Sequence, residues 1–308
     1  MVQTIRLTMG AIEWMMLLAL SIIWGGSFLL NSIALRSFDP FSVVALRVGI
    51  GAVCLWLIAI MLNYPFPQAR KLWVRFLWMG ILNNAIPFTL IAWGQQYIAS
   101  GLASILNATT PLFTVLVAHA LLADERLSVA RSAGVVIGFL GVAIMVGADA
   151  LGKLGIEIWA QLAVLAASLS YAVASVFGRR FAGVPPMVTA AGQVTASSLI
   201  MIPLALVVEK PWQLEAPGFE AIAAVAGLGA ISTAAAYGLY FAILSRAGAT
   251  NLVLVTFLIP PSAVLLGVSV LGESITAMQL AGTAAIAAGL ALIDGRVLRP
   301  LTSAGQSR

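Results

Sequence analysis

The chain is short of charge. Lys, Arg, Asp and Glu together make up 9% of its 308 residues, while 61% are hydrophobic. A soluble domain carries about 25% charged residues to cover its exterior. Without them a soluble globule of this length is excluded, because its apolar surface has nowhere to hide. Cysteine is nearly absent: Cys54 stands alone inside an apolar run, so no internal disulfide exists. Histidine is limited to His119, and there is no cluster of metal-ligating residues or cofactor motif, so no metal and no cofactor are expected. Net basic charge does not gather into a patch, which argues against a nucleic-acid partner.

What is present is a series of long apolar runs. About 20 residues in helical form cross the hydrocarbon of a bilayer, and ten such runs fill the chain, approximately 13–35, 41–62, 73–96, 101–123, 130–148, 157–178, 186–208, 219–243, 249–271 and 276–293. The runs are continuously apolar rather than alternating, which excludes a β-barrel. The first run is too long for a cleavable signal and lacks a small-residue cleavage site. The fold class is therefore an all-α polytopic membrane protein with ten transmembrane helices and the lipid bilayer as its main surroundings.

Basic residues orient the bundle. With the N-terminus in the cytoplasm, Arg6, Arg70, Lys71, Arg75, Arg126, Arg131, Arg179, Arg180, Arg246, Arg296, Arg299 and Arg308 lie inside, and Arg36, Lys153 and Lys210 outside. This bias places both termini in the cytoplasm. Trp14, Tyr64, Trp73 and Trp159 near span ends fit interfacial anchors.

The sequence repeats. A shift of 148 carries Glu125 onto Glu273, Gly134 onto Gly282 and Gly141 onto Gly289, and a shift of 146 carries Pro40 onto Pro186 and Arg47 onto Gln193. Each half, 1–148 and 149–308, holds five spans. An odd number forces the second copy to enter the membrane in the opposite sense, and inverted repeats are a transporter architecture with the substrate between them. Duplication is also compatible with a channel-like or scaffold protein, and a membrane-embedded enzyme is disfavoured by the missing acids and histidines.

Candidate site residues are the polar and aromatic groups at mid-span and the interruptions. Asn83, Asn84, Asn107, Gln193 and Ser232 must face protein or water. They serve either as hydrogen-bonding glue between helices or as a cavity lining. Trp24, Tyr171, Tyr237 and Tyr240 lie away from the interfaces and supply apolar contact or a cation–π face. Pro111 in the fourth span and Pro260-Pro261 in the ninth interrupt their helices at related places, either freeing a carbonyl for substrate or permitting a gating bend. Arg47 is the one basic residue well inside a span, and either neutralises a substrate carboxylate or serves a structural, charge-compensating role. No acid stands at the centre of any span, so a buried-carboxylate proton or sodium site is not visible.

The run Trp24-Gly25-Gly26-Ser27, Arg47 shortly after Pro40, and the stretch from Ala99 through Pro111 to Glu125, repeated from Ala247 through Pro260-Pro261 to Glu273, resemble the duplicated EamA repeat of the drug/metabolite transporter superfamily, in its ten-helix bacterial exporter branch. The resemblance covers nearly the whole chain. It implies a secondary exporter of amino acids or related metabolites, the aromatic amino acid exporter type among them, located in the bacterial inner membrane. It also implies a central cavity reached by Trp24, Asn83, Asn107, Tyr171, Ser232 and Pro260. The expected function is export of small zwitterionic or neutral metabolites, foremost amino acids, by alternating access. Other metabolites, nucleosides or drugs are the alternative cargo. A small-molecule substrate is the only partner called for; no obligatory protein partner is evident.

Overall fold

The computed structural model describes residues 9–146, 155–213 and 215–294, with the side chains of 249 and 250 left aside. Arg6, Lys153, Arg296, Arg299 and Arg308 of the charge count, and the end of the fifth span at 147–148, lie outside the described residues. Among the described residues, nine helices are long and apolar enough to cross a membrane and a tenth is shorter. They are α1 (Ala11–Ala34), α2 (Pro40–Met61), α3 (Arg70–Gly94), α4 (Ser100–Leu121), α5 (Val129–Val146), α6 (Ile156–Phe181), α7 (Pro186–Val208), α8 (Phe219–Gly248), α9 (Val255–Leu271) and α10 (Ala277–Asp294). At about 1.5 Å rise per residue, 22–24 residues reach roughly 33–36 Å, enough for a hydrocarbon core of about 30 Å. Large apolar side chains face outward along these helices, among them Val53, Ile60, Leu199, Val207 and Leu265. In water such a belt would drive association; in lipid it is the matching surface.

The helices pair across the two halves. α5 lies on α10, α2 on α7, and α4 on α9; α1 lies on α8 and α9, α6 on α3 and α4, α2 on α8 and α7 on α3. Renaming α1–α5 as α6–α10, and the reverse, returns the same set of pairings. Glycines make the closest of these contacts possible. A Cβ on Gly134 of α5 would lie 2.5 Å from the Gly289 carbonyl oxygen, and one on Gly141 would lie 2.6 Å from that of Gly282.

Two spans are not uniform α-helix. α3 widens to a π-turn at Ile81–Ala85, and α8 does the same at Ala230–Ala235. A shift of 149 superposes Gly80, Asn83 and Asn84 on Gly229, Ser232 and Thr233, so the same irregularity occurs twice at the same place. Such single π-turns mark functional positions in many helices. The continuous apolar runs 73–96 and 219–243 predict uniform helices, and the π-turns depart from that. Gly80 and Gly229 permit the close approach beside each turn. A Cβ on Gly80 would lie 2.5 Å from the Gln193 carbonyl oxygen of α7, and a Cβ on Gly229 would lie 2.5 Å from Cβ of Ile50 and 3.0 Å from the Arg47 carbonyl oxygen of α2.

The two proline interruptions differ from each other. In the fourth span the helix stops at Asn107 and restarts at Thr110, with Pro111 in the first turn of the new segment. A proline there costs no hydrogen bond. The expected uniform ninth helix over 249–271 is instead broken. Gly248 has φ +78°, and a turn at 253–254 precedes Val255. Pro260 and Pro261 then sit inside α9, Pro260 buried and Pro261 turned to the outside.

Contacts between connections sort them into two ends. At one end the Glu209 carboxylate, after α7, accepts the N–H groups of Phe41 and Ser42 at 2.7 Å each, and Arg36 faces Glu220. There too Glu273, after α9, accepts the N–H groups of Ser100 at 2.7 Å and Gly101 at 3.0 Å. At the other end Arg179, in the last turn of α6, meets Asp124 and Glu125 at 2.8 Å each, and Glu13 lies 4.0 Å from Arg246.

Candidate functional site

A cavity of about 730 Å³ runs through the middle of the bundle, within the range of small-molecule sites, roughly 300–1,000 Å³. Its wall is drawn from α1, α2, α3, α4, α6, α7, α8 and α9, and α5 and α10 contribute nothing to it.

The two π-turns set the polar middle. From α3, Asn83 donates through Nδ2 to Gln193 Oε1 at 3.3 Å and to the Tyr237 hydroxyl at 3.1 Å. Gln193 Nε2 donates to the same hydroxyl at 3.1 Å. With two donors already on its oxygen, Tyr237 has its own O–H free to point into the cavity. From α8, Thr233 accepts the Arg47 Nε–H at 3.2 Å, while its neighbour Ser232 reaches the Ile23 carbonyl at 3.4 Å. Arg47 is half-buried, and its guanidinium carbon lies 3.8 Å from the centre of the Phe88 ring. All of these side chains line the cavity.

Aromatic side chains form one wall. The Trp24 and Tyr240 rings are 5.8 Å apart, Tyr240 meets Phe241 edge-on at 5.3 Å, and Tyr237 stacks on Phe241 at 5.9 Å. Tyr171 of α6 faces the same space. Towards the Glu209 and Glu273 end the cavity is closed by an amide pair. Asn31 donates to Gln95 Oε1 at 2.9 Å, and Gln95 donates to the Phe28 carbonyl and the Ser32 hydroxyl, each at 2.9 Å. Towards the other end the lining continues through Gly178, Arg179, Ala182, Val184 and Pro186.

The residues expected from sequence divide accordingly. Trp24, Asn83, Asn107, Tyr171, Ser232, Tyr237 and Tyr240 line the cavity, as do Arg47 and Gln193. Asn84 does not share the wall with its neighbour Asn83. It is fully buried and donates to the Ser197 hydroxyl at 3.4 Å in the α3–α7 contact. Pro111 and Pro260-Pro261 stand behind the lining, which Thr110, Thr256 and Ile259 supply. The carbonyls released at the fourth-span break are not free for a ligand. That of Leu106 accepts from Thr109 at 2.6 Å, and that of Asn107 accepts from Thr110 at 2.7 Å. The Asn107 side-chain oxygen, by contrast, is buried on the wall without a hydrogen-bond partner. His119 is at the end of α4, where its Nδ1 accepts the Leu127 N–H at 3.4 Å, far from the lining.

Sequence reasoning missed Phe88, Asn31, Gln95 and Phe241. Phe88 was findable, since the shift of 149 that aligns the two π-turns also places it on Tyr237.

The comparisons with known proteins agree with this architecture. The model of the EamA-like transporter family matches twice, over residues 11–147 and 158–294. An uncharacterized transporter of Bacillus subtilis, YoaV, is 24% identical over 281 residues, covering 89% of this chain and 94% of its own. The uncharacterized inner membrane transporter YedA of Escherichia coli is 27% identical over 288 residues, covering 92% and 91%. A solved crystal structure superposes with a TM-score of 0.67 at 22% identity, covering 94% of this chain and 98% of its own, a likeness of fold. The chain is a multi-pass membrane transporter and belongs to the EamA-like transporter family.

Proposed function

We propose that the chain exports small zwitterionic or neutral metabolites, foremost amino acids, across the bacterial inner membrane by alternating access through the central cavity. In this reading residues 1–148 and 149–308 are inverted five-helix repeats with both termini cytoplasmic. The exchange of helix pairings between halves and the excess of Arg and Lys on one side support it. The observation that carries the substrate class is the composition of the wall: amides, hydroxyls, aromatic rings and two arginines, with no Asp or Glu among the described residues that line it. A cavity without an acid gives a permanent cation no counter-charge.

In the same reading Trp24, Tyr171, Tyr237 and Tyr240 take the apolar part of the cargo, and the density of rings favours aromatic amino acids. Asn83, Asn107 and Ser232 take its polar groups, with Asn84 bracing Asn83 from behind. Pro111 and the Pro260-Pro261 pair let α4 and α9 bend as the cavity changes sides, which requires the neighbouring turns at 108–109 and 253–254 to open and close.

The test is a panel of radiolabelled amino acids in proteoliposomes containing the purified chain, with and without an imposed pH gradient. Saturable counterflow of at least one amino acid, reduced by Asn107→Ala and Trp24→Ala at unchanged insertion, is expected. No transport of any amino acid in either condition, with counterflow of a nucleoside or a drug instead, would replace the leading cargo by the alternative.

A further inference from the structure

The polar middle of the cavity joins matching elements twice, through neighbouring rather than identical positions of the two π-turns. Gln193 of α7 meets Asn83 on the π-turn of α3, and Arg47 of α2 meets Thr233 on the π-turn of α8. Arg47 and Gln193 correspond under a shift of 146, and the two π-turns under a shift of 149. The meeting elements are duplicated, but the charge is not: one copy carries a guanidinium, the other a neutral amide.

We propose that Arg47 is the anion-binding residue of the cavity, and that it gives this nearly symmetric site a polarity by holding the carboxylate of the substrate on the α2–α8 side. Three observations carry this. Arg47 donates Nε–H to Thr233 and its guanidinium carbon lies 3.8 Å from the centre of the Phe88 ring, so the group is held from two sides. Its two terminal nitrogens have no carboxylate within 4.0 Å and donate to no protein acceptor among the described residues, so the fork that suits a planar oxyanion is unused. Finally, none of the described residues lining the cavity is acidic. A charge held in a membrane protein without a protein partner is costly and marks a ligand pathway. Arg179, the other arginine on the wall, is paired with Asp124 and Glu125; the one positive charge left without a carboxylate matches a carboxylate rather than a doubly charged phosphate, and it repels amines that lack an acid group. Of the two roles that the place of Arg47 in the sequence leaves open, carboxylate binding or structural charge compensation, this is the first.

The inference rests on the reading of the cavity as the substrate site, and it is separable from the identity of the cargo. The purified chain is titrated with 3-phenylpropionate, its amide 3-phenylpropionamide, phenethylamine, phenyl phosphate and phenylalanine, following thermal stabilisation and intrinsic tryptophan fluorescence in wild type and Arg47→Gln. Arg47→Gln gives α2 the side chain that α7 already carries at the matching position. A hydrogen-bonded charge pair is worth about 1.5–3 kcal/mol, or at least about tenfold in affinity. Wild type should therefore bind 3-phenylpropionate at least about tenfold tighter than the amide, and Arg47→Gln should erase that preference. Arg47→Lys should keep part of it, since charge remains without the fork.

A response to 3-phenylpropionate that depends on Arg47, with none to phenylalanine, upholds the anion site and sinks the amino-acid cargo. Phenylalanine binding equally to wild type and Arg47→Gln sinks the anion site and leaves the cargo standing. Equal binding of acid and amide to wild type, binding of phenethylamine as tight as that of the acid, tighter binding of phenyl phosphate, or no response to any of the five would each overturn the proposal. The wild-type comparisons decide it even where a variant does not fold.

Discussion

The two ends of the bundle are closed by different physics. At the Glu209 and Glu273 end, each carboxylate from the second half accepts two backbone N–H groups from the first turn of a helix in the first half: α2 for Glu209 and α4 for Glu273. These are charge-assisted bonds to otherwise orphaned donors, strengthened by the helix dipole. Gly272, in the left-handed region at φ +69°, turns the chain sharply enough to aim Glu273 back at α4. At the Arg179 end, by contrast, the ion pairs sit in solvent: the Arg179 and Asp124 side chains are 47% and 68% exposed. Pairs of that kind hold little, and it is at this end that the cavity lining reaches the connection between α6 and α7. The lesson is that a bundle of paired helices becomes one-sided through a few side chains at its connections, without any change in its helices.

The helix end that corresponds to Glu209 makes the contrast concrete. Glu209 follows the last residue of α7, and Leu62 follows the last residue of α2. The helix starts opposite them match as well, Pro40, Phe41 and Ser42 against Pro186, Met187 and Val188. One pair is clamped and its counterpart has no carboxylate to clamp with.

The contrast breaks most strongly if both clamps go. Glu209→Ala with Glu273→Ala removes five charge-assisted bonds, four from backbone N–H groups and one from the Ser42 hydroxyl, each clamp being worth about 1–3 kcal/mol. The expected result is a clear fall in Tm, together with faster labelling of a cysteine placed at Ser27, on the cavity wall, in a Cys54→Ser background. Unchanged labelling would mean that the amide pair Asn31–Gln95 closes this end alone. A smaller effect in the opposite direction is expected from Leu62→Glu, which offers the Met187 and Val188 N–H groups the carboxylate they lack. A cysteine at Ala182, on the lining at the open end, should then react more slowly with a water-soluble maleimide than in the parent. Equal rates would show that the carboxylate does not reach α7. Smallest of all is Arg179→Ala, which should leave Tm almost unchanged. Its guanidinium holds the Asp124 carboxyl below the ordinary carboxylate range. The pair is therefore intact above the usual value of about 4 and is lost only as pH falls through the lowered one. The difference in Tm between wild type and Arg179→Ala should accordingly not change from pH 7 to pH 5.

Much of this was legible in the chain itself. Apolar runs and charged punctuation place the ten spans to within a few residues, because lipid demands length and uniformity. Mid-span polarity finds much of the wall, because an amide in lipid is costly wherever it does not face protein or water. Direction is what a linear pattern conceals. Asn83 and Asn84 are adjacent and chemically identical, yet a π-turn sends one into the cavity and the other into the α3–α7 contact. The turns themselves leave hydropathy untouched, and only the matched Gly-x-x-polar-polar stretches at 80–84 and 229–233 betray them. Arg47 could be placed within a span, but whether it met a loop or the cavity depended on Thr233 and Phe88, which are brought to it by α8 and α3.

One contact lies outside all of this. α5 and α10 contribute nothing to the cavity, yet the carbonyls of Gly282 and Gly289 leave no room for a methyl group on Gly141 and Gly134. Backbones meeting so closely at two points, seven residues apart on each helix, cannot slide past one another without losing both. The pair is a spine: it ties the first half to the second in a fixed register while standing wholly outside the cavity wall.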